Sequence, residues 1–294
     1  MQFVRLMLLW LLASSPAFFG QAHAQERFSI FVPTEQEDVA RMLKLAGLKD
    51  GDMVYDLGSG DGRIVFEAAK MNPNVRGRGI EIDAKLVQES RLVAAKSGLG
   101  ERVEFLHQNA FDADIVDADI IAMWLWPEVM RMLRPKILAE ARPGTRIVTR
   151  IWDLGSWKPD ATETEGTQLF MWVVPAKVAG YWNWSLDIGQ GKRDYAAVVE
   201  QHFQNVEGVV RSGSRRSILD GMKVNGDTIS FSTLLTLPGV GLTRHQFSGR
   251  VKGDAIEGTV QILHEPYEVP FERPWRAVRS ATSAYFAPTG LDAK

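Results

Sequence analysis

Between residues 34 and 175, short apolar runs alternate with segments whose apolar residues recur at helical spacing. The runs at 53–57, 79–82, 103–106, 119–125, 146–151 and 168–174 predict buried strands. Residues 119–125 are apolar on both faces, as a central strand of a parallel sheet should be. Helices are predicted after Thr34, over 63–71, over 84–95 with Leu86, Val87 and Leu92 inward, and over 128–141. Thr34 to Glu37 reads as a capping box, with Thr34 as N-cap. Strands and helices in this alternation predict a doubly wound, Rossmann-like α/β domain with a parallel sheet.

The rhythm changes near Pro175, and helical periodicity disappears. Strand-like runs follow at 181–188, 194–204, 208–211, 222–224, 228–235, 246–251, 256–263 and 275–278, with glycine turns between them. One repeat is visible: Lys223-Val224-Asn225-Gly226-Asp227-Thr228-Ile229 returns as Arg250-Val251-Lys252-Gly253-Asp254-Ala255-Ile256. Each copy predicts a hairpin turned at Asn-Gly or Lys-Gly. The organisation expected is an α/β domain at 25–176, an antiparallel all-β barrel or sandwich at 177–279, and a loose tail at 280–294.

The first 24 residues have a different character. Arg5 precedes an apolar stretch from Leu6 to Phe19, and Ala22-His23-Ala24 forms a small-residue cleavage site. This is the pattern of a secretory signal cleaved between Ala24 and Gln25, giving an exported, periplasmic protein with no stable membrane insertion. A chain without cysteine suits that compartment and excludes thiolate chemistry. The formal net charge of −2 gives no electrostatic reason to expect a nucleic-acid partner. Five scattered histidines without cysteine predict no metal site.

The chemistry concentrates where the first strand ends. Asp56-Leu57-Gly58-Ser59-Gly60-Asp61-Gly62 joins a strand to a helix through three glycines. Open α/β sheets bind ligands at this end of their strands. A dinucleotide loop has the spacing G-x-G-x-x-G and receives a pyrophosphate. Here the spacing is G-x-G-x-G, and Asp56 beside it would repel phosphate but suits an ammonium group. Glu81 ends the second strand, where a carboxylate can accept both hydroxyls of a ribose. Asn109 and Ala110 follow the third strand, placed to cover an adenine ring.

These residues resemble the S-adenosylmethionine (SAM) binding motifs of class I methyltransferases. Trp124 to Val129, Pro143-Gly144-Thr145 and Trp157-Lys158-Pro159 are similar to the branch holding non-SET histone-lysine and mitochondrial protein-lysine methyltransferases. Bacterial methyltransferase-like proteins of that branch share the Val32-Pro33-Thr34 lead-in. The resemblance implies that Asp56, Gly58, Ser59, Gly60 and Gly62 line the methionine end of SAM. It implies that Glu81 takes the ribose, that Asn109 and Ala110 flank adenine, and that Trp124 lies beside the transferred methyl; Trp124 and Trp126 are the candidates for a catalytic cation–π contact with the sulfonium. Ala122-Met123 stands where lysine methyltransferases often carry a polar residue, so the acceptor stays open between a protein lysine and a small molecule.

The function expected is SAM-dependent methyl transfer by in-line displacement, in which positioning dominates. Each residue also has a plain reading. The glycines could serve a tight turn, Glu81 a solvated strand end, Asn109 a turn cap, and Trp124 and Trp126 core packing. Glu128 favours a helix N-terminus. His107 reads as structural, and Trp182 and Trp184 as barrel core. Export of an unfolded chain conflicts with carrying SAM outward, which keeps one alternative: an exported non-catalytic binder of a nucleoside-like ligand acting through its β domain.

Overall fold

The computed structural model describes residues 31–281. The predicted signal at 1–24 and the tail beyond 281 lie outside the described residues. Ser280, assigned to the tail on sequence, closes the last strand instead.

The first half builds a seven-stranded sheet of β1 (Met53–Leu57), β2 (Arg76–Glu81), β3 (Val103–His107), β4 (Ile120–Met123), β5 (Arg146–Arg150), β6 (Ala161–Glu163) and β7 (Leu169–Val173). Their order is β3-β2-β1-β4-β5-β7-β6. The first five strands run parallel, while β7 lies antiparallel to β5 and to β6. Helices α1 (Gln36–Leu45), α2 (Arg63–Met71) and α3 (Ala84–Lys96) cover one face, and α4 (Pro127–Glu140) covers the other. The chain reverses its winding between β1 and β4, so their carboxyl ends open a crevice there.

Local departures from the expected pattern have simple causes. Helix α1 begins one residue late, with Glu35 at its N-cap and no side-chain cap. Thr34 is instead buried against the crevice, so the capping box does not form. In α3 the buried residues are Val87, Ser90 and Ala94, and Leu92 is exposed. The strand expected at 119–125 ends at Met123, which puts Trp124 and Trp126 in the loop before α4.

The second half is antiparallel throughout: β8 (Gly180–Asp187), β9 (Lys192–His202), β10 (Asn205–Ser212), β11 (Arg215–Ile218), β12 (Asp220–Asn225), β13 (Thr228–Leu237), β14 (Gly241–Lys252), β15 (Ala255–Leu263) and β16 (Phe271–Ser280). Neighbours in sequence pair in space, and β16 returns to pair with β8. Strands β11 and β12 are one segment divided at Leu219; its first part pairs with β10 and its second with β13. That segment closes the sheet, so the architecture is an up-and-down barrel rather than a sandwich. Alternate residues point inward, including Trp182, Trp184, Tyr195, Phe231, Phe247 and Trp275. The two repeat copies form the β12–β13 and β14–β15 hairpins, each turning through Gly-Asp: Asn225 pairs with Thr228, and Lys252 with Ala255. Gly226 and Gly253 occupy the first turn position at φ +55 and +60, which favours glycine.

The two halves touch directly. The Ala176 N–H donates to the Gly226 carbonyl at 2.8 Å. The Gln201 side chain accepts from the Val178 N–H and donates to the carbonyls of Ala176 and Phe203.

Candidate active site

The glycine loop owes its shape to backbone angles that side chains rarely adopt. Gly58, Gly60 and Gly62 have φ of +87, +54 and +79. The N–H groups of Gly58 and Ser59 donate to the Ile80 carbonyl at 2.8 and 3.0 Å, which ties the loop to β2. A Cβ on Gly58 would lie 2.5 Å from Leu125, and one on Gly60 would lie 2.2 Å from the Phe31 ring. Gly62 starts α2 and faces the rings of Phe105 and Phe66.

Two carboxylates stand at the tips of neighbouring strands. Glu81 is buried, and its two oxygens accept the Gly60 and Asp83 N–H groups, each at 2.8 Å. Asp56 is 2% exposed, and its Oδ1 has no partner. Burial, with the negative charges of Glu81 and Asp61 behind it, pushes the Asp56 carboxyl up to about 8. A buried, unpartnered acid is costly to keep and marks a place where a ligand is to be met.

A cleft with an empty volume of about 930 Å³, its open mouth included, lies over these groups. Asp56, Gly58, Ser59, Glu81, Asn109, Ala110 and Trp124 all line it. Gly60 and Gly62 shape the loop without lining the cleft, and neither does Trp126, which is 46% exposed at the start of α4. Asn109 also caps a 3-10 turn, Ala110–Asp112, by accepting the Phe111 N–H at 3.0 Å, so its plain and functional readings coexist. His107 bonds the Ile82 carbonyl at 3.0 Å, in keeping with a structural role.

Several further residues line the cleft without having been assigned to it on sequence. Phe31, Val32 and Thr34 close one side, and Arg63 holds this lead-in by donating to the Thr34 carbonyl. Leu125 and Val129 line the α4 side. Trp124 carries the Arg150 guanidinium 4.8 Å from its ring centre. Arg150 in turn donates to Asp38 at 2.6 Å, and Asp38 also accepts from Arg41. Burial opposes the charge on Asp38, but hydrogen bonds from Arg150 and Thr167 and the charges of both arginines outweigh it and lower its pKa. Ala122 and Met123 are fully buried in the sheet, so they take no part in the cleft wall.

A buried acid, a buried hydroxyl (Ser59 Oγ) and a buried indole N–H (Trp124 Nε1), all unpartnered and all lining one cleft, fit a ligand with cationic and aromatic parts. Comparison with known proteins agrees. Residues 56–161 match the model of the family described as "ANTKMT methyltransferase domain". A protein-lysine N-methyltransferase of Saccharolobus islandicus is 38% identical over 129 residues, 44% of this chain and 80% of that protein. The adenine nucleotide translocase lysine N-methyltransferase of Mus musculus is 32% identical over 54% of this chain and 68% of its own length. Among solved structures, an RNA methyltransferase from Salinibacter ruber in complex with S-adenosylhomocysteine is 42% identical, with a TM-score of 0.48, covering 50% of this chain and 96% of that one. The chain belongs to the family of SAM-dependent methyltransferases that contains these lysine N-methyltransferases. It is a methyltransferase, and its methyl donor is SAM.

Proposed function

We propose that this protein transfers a methyl group from SAM to the side-chain amine of a protein lysine. The observation that carries the reading is the wall around Trp124, apolar but flanked by a fixed cation, beside the unpartnered Asp56. Asp56 and the Gly58–Ser59 turn would hold the amino-acid end of SAM. Glu81 would take the ribose, and Asn109 and Ala110 would border the adenine. When bound, SAM supplies a methyl group on a positively charged sulfur, ready for in-line displacement by an electron pair.

The residues of the chain then have three tasks. The first is to neutralise charge: Asp56 ionises when an ammonium group arrives, because an opposite charge favours the carboxylate. The second is to exclude water: Phe31, Leu125 and Val129 supply apolar walls, and Phe31 sits against the loop at Gly60. The third is to present the acceptor with a free lone pair. A lysine ammonium entering past Trp124 meets an apolar surface, and burial there disfavours its charge. It therefore loses its proton to solvent before attack, without a dedicated base. Alignment does the rest, worth ~7–11 kcal/mol in the most favourable cases.

The relatives named as lysine N-methyltransferases support this acceptor class. The test is incubation of the purified protein with SAM and a library of lysine-containing peptides, read by mass spectrometry. Methylated lysine, with a rate that rises with pH as the amine deprotonates, is expected. Turnover of SAM with small amines but with no lysine peptide would overturn the acceptor assignment.

A further inference from the structure

Among the described residues only two non-glycine positions have left-handed backbone angles, Ile151 at φ +65 and Phe203 at φ +57. Ile151 centres a three-residue turn in which the Trp152 N–H donates to the Arg150 carbonyl at 2.7 Å. Phe203 is the first residue of the two-residue turn between paired His202 and Asn205, a place where glycine is favoured. Strain of this kind persists only where the surroundings hold it. The two residues lie in different domains and meet the same loop.

That loop runs from Ile151 to Asp160. The Phe203 ring leaves the barrel and stacks on Trp157, with centres 5.7 Å apart and planes at 14°. The Arg134 guanidinium lies 5.4 Å from the same ring and donates to the Leu154 carbonyl at 2.6 Å. Next to Phe203, the Gln204 amide donates to the Lys158 carbonyl at 2.7 Å. At the loop's other end, Thr149 donates to the Trp152 carbonyl at 2.6 Å, and Arg150 covers the cleft residue Trp124. Trp126 and Trp152 each stand three residues beyond the paired rung Met123–Thr149, and both are exposed at the same edge of the sheet. Neither lines the cleft itself, but both follow the carboxyl ends of β4 and β5, the end of the sheet at which the cleft residues Trp124 and Leu125 lie.

We propose that Phe203 is a positioning residue: the barrel inserts this ring to hold the 151–160 loop in the shape that forms the acceptor side of the active site. The barrel is therefore part of the methyltransferase, acting on acceptor use and leaving SAM binding alone. The inference rests on the methyltransferase reading above, but its main readout needs no acceptor.

The test is Phe203→Gly, which suits the turn geometry and removes only the ring. Amide hydrogen exchange in 151–160 is expected to quicken about tenfold or more, with β1, β4 and β10 unchanged. Binding of S-adenosylhomocysteine, measured by calorimetry, is expected to stay within about twofold of wild type. With a lysine peptide accepted by the wild type, KM should rise more than kcat falls, and Phe203→Tyr should restore both. If Phe203→Gly does not fold, Arg134→Leu loosens the same loop and should give the same pattern. Unchanged exchange in the loop overturns the proposal. So does faster exchange spread evenly through the sheet together with weaker S-adenosylhomocysteine binding, because that would be general stability. Failure of the wild type to bind S-adenosylhomocysteine would instead refute the proposed function, with the exchange result still readable.

Discussion

Replacing Asp56 by asparagine is predicted to stabilise the ligand-free protein while disabling it. In the fold the carboxyl is pushed from 3.8 up to about 8, first by burial and then by Glu81 and Asp61. The folded state therefore holds this proton between about pH 4 and pH 8, where the unfolded chain has released it. Stability contributed at this position is lost as pH rises through that window. Neutral pH lies about three pH units above the ordinary carboxyl value, and each unit is worth ~1.4 kcal/mol. The penalty at pH 7 is thus on the order of 4 kcal/mol. Asparagine removes it but buries an amide whose donors lack partners, which takes back ~1–3 kcal/mol. A net gain of about 1–3 kcal/mol at pH 7 is expected; it crosses zero between about pH 4.5 and pH 6 and becomes a net loss of about 1–3 kcal/mol near pH 4, where the amide cost alone remains. Urea unfolding of both proteins at several pH values measures it. Wild type should lose stability from about pH 4 to pH 8 relative to Asp56→Asn, whose curve should be flatter. Calorimetry should show weaker S-adenosylhomocysteine binding for the variant. It should also lose the proton release that the wild type shows on binding at neutral pH. Parallel pH–stability curves for the two proteins would refute the reasoning, because Asp56 would then titrate normally.

Other consequences are as direct. Glu81→Ala leaves the Gly60 and Asp83 N–H groups without their acceptor. The glycine loop should loosen, and S-adenosylhomocysteine affinity should fall about tenfold or more in a binding titration. Arg150→Met strips Asp38 of its 2.6 Å partner in a largely buried setting. A loss of about 2–4 kcal/mol is expected in denaturant unfolding. Arg41 still pairs with Asp38, so the loss should not reach the upper end for a fully orphaned charge. Gly258→Ala would drive a Cβ to 2.0 Å from the Ser248 carbonyl oxygen. The barrel should lose about 2 kcal/mol or more by calorimetric melting, as overpacking against backbone requires. Cleavage after Ala24 is expected to leave a mature chain beginning at Gln25, and N-terminal sequencing of protein from its native cells checks this.

What could be read from the sequence was what neighbours in the chain decide. The Asp56–Gly62 turn, the acid at Glu81 and the cap at Asn109 are each set within a few residues of a strand end. Hydrophobic rhythm alone found those ends. The same rhythm found the barrel strands, because inward and outward residues alternate with period two. It missed β11, whose exposed, arginine-rich residues carry no such alternation. It put Thr34 at a helix cap because its spacing to Glu37 fits. Burial against the crevice won that competition for the side chain.

The features that rhythm could not supply are pairings between distant parts of the chain. Phe31 lies against Gly60, Arg150 grips Asp38, and the Phe203 ring lands on Trp157. Each depends on the completed topology, in which β5 comes to lie beside α1 and the β9–β10 turn reaches the loop after β5. Of the three, the Phe203–Trp157 stack is the one that joins the barrel to the α/β layer. With Phe203 holding the 151–160 loop as proposed, sequence changes in the barrel should be felt in acceptor use rather than in SAM binding.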